Sequence, residues 1–536
     1  MKRVAIIGAG SAGLAAMKAC KEDGISYVCF ERSGRVAGLW NYREEDVDGM
    51  ACVMKTTVIN SSKEMSAFSD FPPPKEFPNY MHNRMMCKYF HMYAEKFGLL
   101  DSIRYYQEVT KVEQAPDYDE TGRWILTAQN TNDKTITEET FDGVMVCTGH
   151  HGYPHIPKFQ GQEDFKGKFI HTHSIKVPDA FKDQKVLIIG VGNSGLDASV
   201  DISNVAKQVY LSTRRGTWIM FRLGAYGLPV DTQLLTRMFD FMKDCFGWSI
   251  ANSYVERYLD SKFNHEIFNL RPKHRYNAQH LAINDHLPNK IASGTVIVKG
   301  DIDRFEEKGV VFKGDENVTK IDSVVLATGY KIKYPFLSDK VMDTTNNRAE
   351  LYKLMFPPHL KHPTLAIIGL IQPFGSLFPI FEIQSRWYAQ LMNGKVKLPK
   401  IEDRMIEVKK RRAEMAKRYV GTQRHTVQVD YIAYMDEISQ EFGARPNVWK
   451  MAVNDPLLFL HCFFGPCTPY QYRLEGPHAW PEARRTILTT KERIIKPLDT
   501  RHGKLSGDYV RKYLVIWFIS FLLLCASLIL IYIFRL

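Results

Sequence analysis

The sequence predicts an α/β fold in which one nucleotide-binding unit is inserted within another, followed by a C-terminal transmembrane helix. Three observations carry this. Val4-Ala5-Ile6-Ile7 runs into Gly8-Ala9-Gly10-Ser11-Ala12-Gly13, and Val186-Leu187-Ile188-Ile189 runs into Gly190-Val191-Gly192-Asn193-Ser194-Gly195. Each is an apolar run, a G-x-G-x-x-G turn and a helical pattern, as in Rossmann-like units. The glycines permit a tight turn, let a pyrophosphate approach the backbone and let helix pack on strand, so that the helix N-terminus faces the phosphates. The second observation is an echo: Gly143-Val144-Met145-Val146-Cys147 ends in Thr148-Gly149, and Ser323-Val324-Val325-Leu326-Ala327 ends in Thr328-Gly329. The third is an uncharged apolar run from Tyr513 to Phe534.

The residues after each fingerprint distinguish the two nucleotides. After the first, Tyr27-Val28-Cys29-Phe30 ends at Glu31, a carboxylate placed to accept from ribose hydroxyls and to repel a 2′-phosphate. After the second, Gln208-Val209-Tyr210-Leu211 ends in Ser212-Thr213-Arg214-Arg215. Two hydroxyls and two guanidinium forks suit a 2′-phosphate, the alternative being solvated arginines. The first site reads as FAD and the second as NADPH.

The chain then divides into residues 1–155, the first part of an FAD-binding domain; 156–330, an inserted NADPH-binding domain opened by the proline-bearing linker Tyr153–Pro157; 331–510, a return to the FAD domain that covers the substrate side; and 513–534, the anchor. At about 1.5 Å per residue the anchor matches a bilayer core of roughly 30 Å. Arg511, Lys512 and Arg535 flank it, and Tyr513, Trp517 and Tyr532 sit near its ends. Lys2-Arg3 before an apolar run mimics a signal peptide, but the strand-turn-helix reading accounts for every glycine there. A tail-anchored protein of the endoplasmic reticulum membrane, its catalytic body in the cytosol, is expected. The mixed-charge run around Lys409–Arg412 reads as a solvated helix face. Pro456–Phe464 is too short to span and reads either as core or as a segment dipping into the membrane surface.

Length and composition agree with an enzyme of several domains: 536 residues, 45% hydrophobic and 12% aromatic. The net charge of +12 is scattered and no nucleic-acid module is visible, so anionic cofactors and a lipid surface explain it better than nucleic acid. Nine cysteines show no C-x-x-C and no metal spacing, which fits free thiols, excludes a metal site and disfavours a disulfide reductase.

These motifs, in this order, resemble the flavin-containing monooxygenases of the animal microsomal type over essentially the whole length. The family signature F-x-G-x-x-x-H stands as Phe165–His171, with Ile175 where the family closes on an aromatic. A-T-G-Y is Ala327–Tyr330, and the G-G-L-W-like stretch is Ala37-Gly38-Leu39-Trp40, with Ala for the first glycine. The asparagine segment is Ile59-Asn60-Ser61-Ser62. The resemblance implies that NADPH reduces FAD, that dioxygen adds at C4a to give a hydroperoxide, and that an amine nitrogen or sulfur of a small molecule attacks its distal oxygen. It implies that Asn60 lies between flavin and NADP and protects the peroxide, the alternative being an Asx turn. Leu39, Trp40, Ile59, Ser61 and Leu196 are implied to be cofactor-binding, and Ser194 and Asp197 resemble positions contacting NADP. Alternatives are Baeyer–Villiger oxidation of ketones, toward which Ala278-Gln279-His280 points, and an NADPH oxidase releasing hydrogen peroxide. A homo-oligomer is compatible with the sequence.

Overall fold

The computed structural model describes residues 2–421 and 426–501. The expected span at 513–534 lies outside them, and no helix among the described residues is long and apolar enough to cross a membrane.

Two five-stranded parallel sheets organise the fold. In the first, Arg3–Ile7 is central, flanked by Ser26–Phe30 and Gly143–Val146, with Ile103–Arg104 and Leu365–Ile367 at the edges. In the second, Lys185–Ile189 is central, flanked by Gln208–Ser212 and Ser323–Leu326, with Val296–Lys299 and Lys168–His171 at the edges. Both central strands alternate between two buried faces, as parallel strands covered on both sides do. Val4 and Ile6 face Leu14 and Met17 of the helix Ser11–Glu22, whereas Ala5 and Ile7 face Trp124 and Leu126. Val186 and Ile188 face Leu196 and Ile202 of the helix Asn193–Ile202, whereas Leu187 faces Phe305 and Phe312. The covering layer opposite each fingerprint helix is a three-stranded antiparallel meander: Gln107–Gln114, Trp124–Asn130 and Ile136–Phe141 in one unit, and Ile302–Glu306, Gly309–Phe312 and Thr319–Lys320 in the other.

The chain passes between the units twice, and the two passages bond to each other. Tyr153–Pro154 pairs antiparallel with Tyr330–Lys331, and the His155 N–H donates to the Gly329 carbonyl at 2.8 Å. His171 also serves this junction: its Nε2 lies 3.1 Å from the Gly329 carbonyl, and its ring meets Tyr330 edge-on. Ile175, at the position the family fills with an aromatic, is buried in the second unit's core beside Phe181 and Val186. The position serves packing.

After the strand Leu365–Ile367, the helix Phe378–Met392 packs on the outer side of Ser11–Glu22, so that helix is buried nearly all round. A buried charge network locks the contact. Lys18 pairs with Glu22 and Asp70, and Arg473 pairs with Glu382 at 2.8 Å and with Glu22 at 3.2 Å. The mixed-charge segment forms the helix Ile401–Arg418, where Lys409 and Lys410 are exposed while Arg411 bonds Glu407 and Glu437.

Candidate active site

The first turn is built as its glycines require. Gly8 has φ +99°, and a side chain on Gly13 would overlap the Gly8 carbonyl oxygen, so only glycine lets strand and helix approach this closely. The Gly8 N–H donates to the Phe30 carbonyl at 2.8 Å, fixing the turn beside the end of the neighbouring strand. Gly10 is the N-cap, and Ser11, Ala12 and Gly13 form the first helical turn, whose N–H groups an α-helix leaves without internal partners. That is a cradle for an anion.

Glu31 stands where its carboxylate reaches this cradle. Its Oε2 accepts from the Ala9 N–H at 2.7 Å and its Oε1 from the Ser33 N–H and hydroxyl at 2.8 and 2.7 Å. Three of its roughly four acceptor positions are thus used within the loop. The Ala9 N–H is committed to Glu31, so Ala9 offers its backbone to the carboxylate and not to a nucleotide. Residues 37–40 fold over the same turn. Ala37 lies in the left-handed region at φ +77°, which explains why glycine suits that position, and its N–H donates to the Ala9 carbonyl at 3.1 Å. Leu39 accepts from the Val53 N–H, and Trp40 packs edge-on against Phe378.

The second turn repeats the geometry. Gly190 has φ +114°, its N–H donates to the Ser212 carbonyl at 3.1 Å, and a side chain on Gly195 would overlap the Gly190 carbonyl. A Cβ built on Gly192 meets nothing within 4 Å, so the space above the turn is free for a pyrophosphate. Ser194 is exposed at the first helical turn. Leu196 has its side chain fully buried in the core, and its N–H donates to the Gly192 carbonyl at 3.0 Å. Asp197 accepts from Asn284 at 2.9 Å, and burial pushes its carboxyl up to about 6. Arg214 and Arg215 are exposed beyond the strand Gln208–Ser212 and form no ion pair among the described residues. They follow Thr213, which stands at the position Glu31 holds in the first unit.

Between the units lies a cavity of about 180 Å³. Asn60 and Ser61 of the first unit and Asn193 of the second fingerprint line it, with Phe239, Trp248, Tyr276, Phe374 and Tyr431 around an apolar interior. Arg222 positions Asn60. Its Nη2 lies 2.7 Å from Asn60 Oδ1 and its Nε 3.3 Å from the Ile59 carbonyl, while Asp285 holds the same guanidinium at 2.7 Å. Guanidinium only donates, so the oxygen of Asn60 points to Arg222 and its NH₂ is the end left for a ligand. Ile59 is buried, and its N–H donates to the Met81 carbonyl. The Ser61 hydroxyl bonds Ser66 at 2.7 Å. Asp231 clamps the next residue, accepting from the Ser62 N–H at 2.6 Å. Asn193 Oδ1 accepts from the Ile283 N–H at 2.8 Å. His280 also lines the cavity, and burial pushes it down to about 4, so it is neutral.

Two glycine turns of the same geometry, and an apolar cavity lined by residues of both units, fit two dinucleotides. Residues 1–533 match the model of the flavin-binding monooxygenase-like proteins. This protein belongs to that family. It is 47% identical over 511 residues to flavin-containing monooxygenase 5 of Cavia porcellus, covering 95% of each chain, and 40% identical over 517 residues to flavin-containing monooxygenase 2 of Homo sapiens, covering 96% of each. Among solved structures, S-allyl-L-cysteine S-oxygenase of Allium sativum shares the fold with a TM-score of 0.63 at 22% identity, covering 91% of this chain and 98% of that one. The protein is an NADPH-dependent flavoprotein monooxygenase using FAD and dioxygen on a small-molecule substrate.

Arg222, Asp285 and Asp231 carry much of the site's geometry and had no signal in the sequence. Arg222 and Asp231 reach the Asn60 segment across more than a hundred residues, and Asp285 acts on it only through Arg222.

Proposed function

We propose that this monooxygenase oxygenates nitrogen or sulfur of small soft nucleophiles held in the cavity between the two units. The observation that carries the reading is the meeting of Asn60 and Ser61 of the first unit with Asn193 of the second fingerprint on one apolar cavity. The first cradle, with Glu31, would hold FAD; the second, with Arg214 and Arg215, would hold NADPH. When bound, the reduced flavin supplies the activation of dioxygen. The chain's residues orient and shield: Arg222 fixes the Asn60 amide with its NH₂ toward the ligand space, and the aromatic wall keeps water out.

The test is stoichiometric. Purified holoenzyme supplied with a thioether or a tertiary amine is expected to form one sulfoxide or N-oxide per NADPH consumed. Hydrogen peroxide equal to NADPH, with no oxygenated product, overturns the reading. Asn60→Ala is expected to keep FAD and to divert most NADPH to hydrogen peroxide; unchanged product yield would remove Asn60 from its role.

Membrane attachment belongs to the same proposal. Val453, Trp449 and Leu457 are 81%, 60% and 51% exposed on the adjoining helices Val448–Asn454 and Pro456–Phe463, whose other side buries Met451, Leu458 and Cys462. The helix Arg237–Lys262 turns Ile250 and Tyr254 outward while its Phe239, Trp248 and Val255 line the cavity. An apolar surface next to the cavity wall, in a chain ending in the uncharged run 513–534, supports a lipid-facing substrate side on the endoplasmic reticulum membrane. Removal of residues 513–536 is expected to release the protein from alkaline-washed membranes; retention would locate the anchor elsewhere.

A further inference from the structure

The charged groups on the cavity wall are already engaged with one another or with the backbone. Lys243 pairs with Asp240 at 2.8 Å, and Arg418 grips Asp430 with both terminal nitrogens at 2.7 and 2.8 Å. Asp231 accepts from the Ser62 N–H at 2.6 Å, and His280 is neutral. The remaining wall is apolar: Tyr276 and Phe374 meet edge to face with centroids 6.2 Å apart, beside Met220 and Leu281. A ligand therefore finds no uncommitted charge on the wall among the described residues, and shape is left to select it.

The cations of both pairs converge on one ring. Arg418 lies 4.1 Å and Lys243 4.9 Å from the ring centroid of Trp248, each attracted by the negative face of the indole. Trp248 follows Gly247, whose φ of +77° breaks the helix Arg237–Lys262. A Cβ on Gly247 would meet nothing within 4 Å, so the backbone turn and not crowding calls for glycine there. Trp248 is half-buried between the exposed Gly247 and Ser249, whereas Tyr276, Leu281 and Tyr431 of the same wall are buried. Trp248 is thus where the cavity lining meets solvent. Asn60, at the nucleotide side, is held by a separate set of groups, Arg222 and Asp285.

We propose that Trp248 is the size-limiting residue of the substrate cavity: its indole, held by Lys243 and Arg418, closes the solvent side and sets how far a substrate extends away from Asn60. The favoured substrates are compact neutral nucleophiles, such as small aryl thioethers and unprotonated tertiary amines, and longer ones are refused by contact with the ring. This rests on the cavity being the substrate site and adds to it the residue that bounds it. Asp240 and Asp430 act through the two cations, as positioning residues.

Trp248→Ala removes the indole from a half-exposed position, and Trp248→Phe keeps a smaller ring there. Holoenzyme of the full chain is titrated calorimetrically, without NADPH, with methyl phenyl sulfide and with methyl biphenylyl sulfide, which adds a second ring opposite the same sulfur. The wild-type protein is expected to bind the shorter compound about tenfold more tightly or better. In Trp248→Ala the ratio of affinities is expected to move about tenfold or more toward the longer compound, with Trp248→Phe in between. Lys243→Met, which takes one cation from the ring and leaves the indole, is expected to move the ratio the same way by a smaller factor. Equal wild-type affinities overturn the proposal without any variant. A ratio unmoved in Trp248→Ala, or a loss of both ligands by one factor, also overturns it, the latter marking a residue that only supports the fold. Binding is read without turnover, so a ratio that follows Trp248 in an enzyme forming no sulfoxide would defeat the oxygenation reading and leave the size limit intact. Sulfoxide formation with an unmoved ratio would do the reverse.

Discussion

The two nucleotide-binding units share one plan: the same strand order, the same glycine turn, the same helix on one face and meander on the other. They differ in three places. The first unit takes its edge strand Leu365–Ile367 from beyond the second unit, whereas the second takes Lys168–His171 from just before its own fingerprint, so the first is interrupted and the second is continuous. Beyond the neighbouring strand, the first has the buried Glu31 and the second the exposed Arg214 and Arg215. Along the fingerprint helix, the first has Ala15 and Ala19 fully buried where the second has Asp197 and Asp201. The grip on phosphate is common because it is backbone geometry. Ribose selection and helix burial diverge because side chains set them.

The largest effects fall on the shared turn. Gly13→Ala forces a methyl into the Gly8 carbonyl, and a loss of about 3 kcal/mol or more is expected, with FAD lost on purification. Gly192→Ala meets open space, so thermal stability and FAD content are expected to stay at wild-type values. Equal damage by both substitutions would break the assignment of close packing to the first and ligand space to the second.

Asp197 tests the helix difference through pH. Its folded carboxyl titrates at about 6, above the ordinary value of 3.8, so the folded state binds the proton more tightly than the unfolded state. Stability is therefore lost as pH rises from about 4 through 6. Asp197→Asn is expected to be more stable than wild type above pH 6, by up to about 3 kcal/mol, and equal to it below pH 4. A pH-independent difference in denaturant midpoints would contradict burial as the cause.

The ribose difference is sharpened by replacing Arg214 and Arg215 together with serine. Loss of two charge-assisted contacts is expected to raise the Kd for NADPH about 10- to 100-fold with little change for NADH. Equal losses would assign the arginines a structural role. The smallest effect is expected at Ala37, where glycine removes left-handed strain. Ala37→Gly is expected to stabilise by about 0.5–1 kcal/mol, read as a small rise in Tm.

Local patterns made both turns and both central strands legible, because a glycine's φ and a strand's alternation depend on near neighbours. Leu196 shows where that ends. Beside a fingerprint it is read for its nucleotide, whereas helix periodicity and the depth of the second core turn its side chain inward, a packing role the motif does not spell out. Pro456–Phe464 read two ways, and the helix buries Leu458 and Cys462 while exposing Leu457 and Leu460.

By itself, the sequence determined the two cradles, the acidic and basic ends that tell them apart, and the family. Tertiary structure alone decided that Arg222 orients the Asn60 amide, that Asp285 holds Arg222, and that Asp231 clamps the Ser62 N–H. The physical reason is range. Backbone conformation is set within a few residues, whereas a hydrogen bond between residues 60 and 222, or between 62 and 231, exists only once distant segments have packed together.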